Sequence, residues 1–116
     1  MPNLRRVGRE AEDRAAAYLE SLGYTVIARR FQARHGEIDL VALDGATMVF
    51  VEVKMRRGAE SHPEDAVDRT KKKRIVESAR EFLEAYEGPD VEVRFDVVTV
   101  ASGRLTHLPD AFWPED

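Results

Sequence analysis

The sequence predicts an α/β protein: a mixed β-sheet flanked by helices, in the order α-β-β-β-α-β(-β). Three observations carry that reading. Apolar residues recur at helical spacing in two separate stretches, short apolar runs rich in β-branched residues lie between and after them, and two of those runs meet at Asp44-Gly45. With 116 residues the chain is long enough for one domain, residues 1–116, around a single modest core.

From about Val7 to Leu22, the residues Ala11, Ala15, Tyr18, Leu19 and Leu22 form the first helical stripe, and Gly23 stops it. Tyr24 to Phe31 reads as a first strand. Glu37–Leu43 and Thr47–Lys54 form a hairpin around Asp44-Gly45, a type I′ turn signal. Gly58 to Pro63 is a loop, and Ser61 with Glu64 makes a capping box that opens a long helix to about Tyr86. The stripe of that helix is Val67, Lys71, Ile75, Ala79, Phe82 and Tyr86. Gly88-Pro89 ends it, Val91 to Val100 is a further strand, and Arg104 to Leu108 is a short last one.

The 43% hydrophobic and 34% charged composition is that of a soluble protein. Without cysteine, a disulfide framework and a thiolate metal site are both excluded. No apolar run approaches the ~18 residues of a membrane span. The start MPNLRRVGREAED lacks the apolar segment of a signal peptide, so a cytoplasmic protein with no membrane association is expected. The net charge of −4 hides an asymmetry, a balance of +3 over residues 1–80 and −7 over residues 81–116. Binding to nucleic acid depends on a local patch, so the global sign does not exclude it.

The hairpin holds the chemistry. A two-residue turn at Asp44-Gly45 sets Leu43 opposite Ala46, Asp39 opposite Phe50 and Glu37 opposite Glu52. Asp39, Glu52 and Lys54 then share one face, and the two acids are diagonal neighbours at roughly 7 Å between Cβ atoms. The other face carries Ile38, Leu40, Ala42, Val49, Val51 and Val53, all apolar and in need of cover. Two carboxylates so close repel one another, and burial raises that cost. Lys54 paired with one acid is the plain explanation. The alternative is Mg²⁺ or Mn²⁺, which takes oxygen ligands. Glu12 borders the apolar stripe of the first helix and Lys71 interrupts that of the second. The ordinary reading of Glu12 is a surface pair with Arg9, and of Lys71 a stem reaching solvent; the other is that both join the hairpin acids.

A D-x(12)-E-x-K hairpin preceded by a helix bearing an acid resembles the PD-(D/E)XK, restriction-endonuclease-like nuclease fold. The closer match is the small bacterial YraN-type family, which looks like the archaeal Holliday-junction resolvases. AEDRAAAYLESLGY, GEIDLVALDG, VFVEVKMR, AVDRTKKKRI and RFDVV carry the resemblance over nearly the whole chain. Ala11 departs from the glycine usual before the helical glutamate. The resemblance implies a Mg²⁺- or Mn²⁺-dependent DNA endonuclease, acting on branched, junction or flap structures in recombination or repair. Asp39, Glu52 and the backbone carbonyl of Val53 would be metal ligands, with Glu12 completing the set directly or through water. Lys54 would sit near the attacking water and scissile phosphate, and Lys71 would contact phosphate. Asp96 matches a family motif, but a hydrogen bond or ion pair supporting the sheet is the simpler role.

Arg34, Arg56 and Arg57 near the hairpin mouth, and Lys72, Lys73 and Arg74 on the second helix, are the candidate contacts to the DNA backbone. No stacking platform or base-reading helix stands out, so recognition by DNA structure is expected rather than by sequence. Junction-resolving relatives act as dimers because two strands must be cut symmetrically, so the resemblance points to a homodimer and to a recombination or repair partner protein, while the residues themselves leave the oligomeric state and the partner open. Phe112 and Trp113 offer apolar surface for a dimer, although a cap over the core is the plainer reading. His35, His62 and His107 are scattered and read as ordinary polar residues. The alternative function is a catalytically silent nuclease-fold module that binds DNA or a protein partner.

Overall fold

The computed structural model describes residues 4–56 and 68–114. Helix α1 is Leu4–Ser21, and strands β1 Thr25–Gln32, β2 Glu37–Asp44 and β3 Thr47–Arg56 follow. Helix α2 is Arg69–Ala85, and strands β4 Glu92–Ala101 and β5 Arg104–Phe112 close the chain. The predicted order holds, and the optional last strand is present and longer than expected. The strands lie in the order β1-β2-β3-β4-β5. Every neighbouring pair is antiparallel except β3 and β4, which run parallel because α2 carries the chain back between them. A five-stranded mixed sheet between two helices is consistent with a nuclease-like fold. Among the described residues no helix is long and apolar enough to cross a membrane.

The helix ends follow from local chemistry. Gly23 sits at φ +92°, and the bonds Gly23 N–H to Glu20 and Tyr24 N–H to Leu19 make a Schellman stop for α1. The expected capping box of Ser61 and Glu64, the loop from Gly58 to Pro63, and Val67, His62 and Arg57 lie outside the described residues. Asp68 caps α2, its side chain accepting from Lys71 N–H at 2.8 Å.

The hairpin register differs from the predicted one. Asp44 pairs with Thr47, so the turn is Gly45-Ala46 and every pair moves by two residues. Only the first turn residue, Gly45 at φ +59°, has positive φ, the pattern of a type II′ rather than a type I′ turn. An even shift of register by itself moves no side chain to the other face.

The sheet is covered on both sides. Against α1 pack Leu40, Val49, Val51, Val98 and Val100, met by Ala11, Ala15, Ala16 and Leu19; the alanines bring the helix close. Against α2 pack Val41, Met48, Phe50, Phe95 and Val97, met by Ile75, Val76 and Ala79. Phe50, Phe95 and Phe112 form a stack at centroid distances of 5.7 and 5.1 Å. Ile38 belongs to this α2-side core, not to the face of Leu40 as alternation requires. The cause is Arg30, whose φ of 52° breaks the alternation of β1. Arg29 and Arg30 both turn toward α1, while Phe31 meets Phe82 of α2 and its strand partner Ile38 follows.

Candidate functional site

β2 and β3 part company at the open end of the hairpin. Their last pair is Leu40 with Val51, and the next step of that register sets Asp39 opposite Glu52. The two acids are thus the first residues past the paired stretch, neighbours across the split rather than a diagonal pair within the ladder. Beyond this point Val53 N–H has a side chain as its acceptor, Asp39 Oδ2 at 2.7 Å. Asp39 therefore stands in the gap between the strands rather than flat on one face.

Asp39 also hydrogen-bonds to Glu52 and feels the charge of Glu12. Burial, followed by the charge of Glu52, pushes the Asp39 carboxyl up to about 8, against the smaller opposing effect of Val53 N–H. Glu52 is 6% exposed, and its Oε1 lies 2.6 Å from Lys71 Nζ. Lys71 interrupts the apolar stripe of α2 because it reaches inward to this acid. Glu12 looks toward the same place from α1, but its Oε1 takes Arg30 Nε at 2.7 Å, not Arg9. Lys54 makes no hydrogen bond or ion pair among the described residues, so the plain explanation of its position, a pair with one hairpin acid, does not hold.

Asp39, Glu52, Glu12 and Lys71 are thus brought together at the split, and Lys54 projects from β3 two residues beyond Glu52. Among the described residues no three carboxylate or histidine side chains form a ready-made metal cage. The positive charges of Arg30 and Lys71 hold Glu12 and Glu52 instead. The donors present, carboxylate oxygens only, nonetheless suit a hard divalent cation, and the proton held by Asp39 marks a local shortage of positive charge.

Sequence reasoning missed Arg30 and Thr99. Arg30 was one of a plain Arg-Arg pair, and only its positive φ aims it at Glu12. Thr99 is the β4 neighbour of Lys54, and its buried Oγ1 has no hydrogen-bond partner; nor has the buried Nε of Arg56. Arg56 is therefore less free to meet DNA than its sequence position suggests. The Lys71–Arg74 run does not form one patch either. Lys71 turns to Glu52, the β1–β2 connection packs beside Arg74 at Gly36, and Lys72 and Lys73 face the far side with Trp113. Arg34 is exposed, and its backbone N–H bonds Glu81.

Asp96 lies elsewhere and is fully buried. It takes two bonds from Arg94 at 2.8 and 2.9 Å, one from Asp110 N–H at 3.0 Å, and lies 2.7 Å from His107 Nε2. Arg94 continues to the Tyr24 hydroxyl and Asp44. Asp96 thus ties β4 to β5 and to the start of β1, the supporting role expected of it.

A family profile described as "Uncharacterised protein family UPF0102" matches residues 11–100. A UPF0102 protein of Chlorobium chlorochromatii is 40% identical, the match covering 94% of this chain and 92% of the relative. One from Geobacter sulfurreducens is 44% identical over 91% and 88%, and one from Desulforapulum autotrophicum is 50% identical over 82% and 79%. Their names carry no activity.

Proposed function

The chain belongs to the UPF0102 (YraN) family, and we propose that it is a metal-dependent endonuclease hydrolysing phosphodiester bonds in branched or flapped DNA. One observation carries the reading: the buried carboxylate of Glu52 and the half-buried one of Asp39 interact where two core strands separate. A purely structural sheet gains nothing from such a pair, since each acid worsens the burial of the other.

Asp39 and Glu52, with the carbonyl of Val53, are the groups that would hold Mg²⁺ or Mn²⁺. When bound, the ion supplies positive charge that polarises a phosphate and acidifies water. Val53 N–H fixes the orientation of Asp39, leaving its second oxygen for the cation or the proton. Arg30 holds Glu12 at the rim, where it orients water. Lys54, unpaired among the described residues, neutralises charge developing on the phosphate as the attacking oxygen adds. Lys71 balances the charge of Glu52, and would be available to a DNA phosphate were Glu52 to hold a cation. Structure-selective binding fits a chain that is acidic overall yet has cations at the hairpin mouth and on α2.

The test is a panel of labelled junction, flap, nicked and linear DNAs incubated with Mg²⁺ or Mn²⁺. Nicking of branched substrates is expected, falling at least ~100-fold in Asp39→Ala and Glu52→Ala. No cleavage across the panel, or cleavage indifferent to both substitutions, refutes it. The Lys71–Glu52 pair favours one other reading, a silent module whose internal lysine replaces the ion permanently. Calorimetry on the wild type separates the two: the nuclease binds Mn²⁺ at these carboxylates, and a silent module, its lysine in the ion's place, binds none.

A further inference from the structure

The C-terminal end of β5 and the outer side of α2 enclose a groove of about 610 Å³, lined by Arg69, Lys72, Lys73, Glu77, Arg80 and Trp113, with Val76 at its apolar base. Trp113 is 61% exposed. It does not cap the core as the sequence suggested; Phe112, 7% exposed, does that and stacks on Phe95. Lys72 Nζ lies 5.8 Å from the Phe112 ring centroid, and this lysine lines the same groove as Trp113. Lys73 and Arg80 are exposed. Four cations, Arg69, Lys72, Lys73 and Arg80, line the groove with the single acid Glu77, in a chain whose overall charge is negative.

We propose that this groove holds a single-stranded segment of DNA, one base stacked on Trp113 and the adjoining phosphates on Lys72, Lys73 and Arg80. The inference rests on the reading of the chain as a DNA-acting protein and names which part of a branched substrate it grips. An exposed indole among cations suits an unpaired base, because every base offers a π-face and a duplex hides both of its own. The volume lies within the range of about 300–1,000 Å³ of clefts that bury a small ligand, which is room for a nucleotide but not for a double helix. Lys72 and Lys73 follow directly after Lys71, so a strand held here runs along the helix whose inner side meets Glu52.

Trp113 is the only tryptophan, so its emission reports the groove alone. The full chain is titrated in EDTA with oligothymidylate of roughly ten nucleotides, within the range of single-strand site sizes. Quenching of the emission is expected, with a duplex of equal length at least ten-fold weaker. By anisotropy of a labelled oligonucleotide, Trp113→Ala weakens binding roughly ten-fold while Trp113→Phe nearly retains it. The Lys73→Gln/Arg80→Gln double variant flattens the dependence on log salt by about 1.4. Unchanged emission, equal binding of duplex, or displacement of the oligonucleotide by polyglutamate at equal charge overturns the proposal, the last in favour of an acidic-peptide site. The EDTA keeps the two readings apart. Quenching by a protein that never nicks DNA leaves the groove standing and sinks the nuclease; nicking without quenching sinks the groove alone.

Discussion

Replacing Asp39 by asparagine changes one oxygen for one NH₂ and removes a titration. In the folded chain the Asp39 carboxyl is raised to about 8 from an ordinary 3.8. The folded state therefore keeps a proton that the unfolded chain releases. Stability from this group is fully present below pH ~4 and is lost as pH rises through 8. Between pH 5 and 8 the loss is bounded by three pH units at about 1.36 kcal/mol each, roughly 4 kcal/mol. Coupling to Glu52 and partial solvent access lower this to about 2–4 kcal/mol. Asparagine still accepts from Val53 N–H and donates to Glu52, so the variant keeps both contacts without the pH cost. For a domain of this size that is roughly 8–16 °C of relative shift in Tm.

Thermal melts followed by far-UV circular dichroism in EDTA, from pH 5 to pH 8, measure it; Trp113 is too exposed to report on the core. Asp96 and the other titrating groups remote from Asp39 are common to both proteins and cancel in the difference. The wild type is expected to lose stability relative to Asp39→Asn as pH rises. Saturating Mn²⁺ at pH 8 is expected to restore the wild type far more than the variant. Parallel pH profiles in EDTA would refute the account of Asp39 as a carboxyl short of a counter-cation.

Asp96 responds to the same chemical change with the opposite sign. Burial alone would raise its pKa, but His107, Arg94 and Asp110 N–H together hold it below the ordinary value. Its stabilisation is present above pH ~4 and is lost as pH falls through the depressed folded value. Asp96→Asn leaves Arg94 without its buried partner and is expected to cost about 3 kcal/mol at pH 7, read by urea unfolding; a loss under ~1 kcal/mol contradicts the hub role. Gly23→Ala meets nothing within 4 Å but must hold φ +92°. It is expected to cost about 1–2 kcal/mol, seen as a lower Tm; an unchanged Tm rejects the Schellman stop.

What the sequence determined by itself was the list of elements and the chemistry at the hairpin. Helical spacing, β-branched runs and the Gly23 and Gly45 punctuation are local signals, and they mark the same elements in the folded chain. Side-chain alternation has a period of two, so a turn misplaced by one residue, which shifts every pairing by two, still kept Asp39, Glu52 and Lys54 near one another. Tertiary structure decided everything that depends on a broken period or a distant partner. The positive φ of Arg30 reverses the side-chain alternation and brings Arg30 to Glu12, and no residue type announces that. Lys71 rather than Lys54 answers Glu52 because the packing of α2, fixed by Ile75 and Ala79, sets the inward reach of the helix. The parting of β2 from β3 leaves Asp39 to satisfy Val53 N–H beside Glu52, and burial with the charge of Glu52 raises its carboxyl.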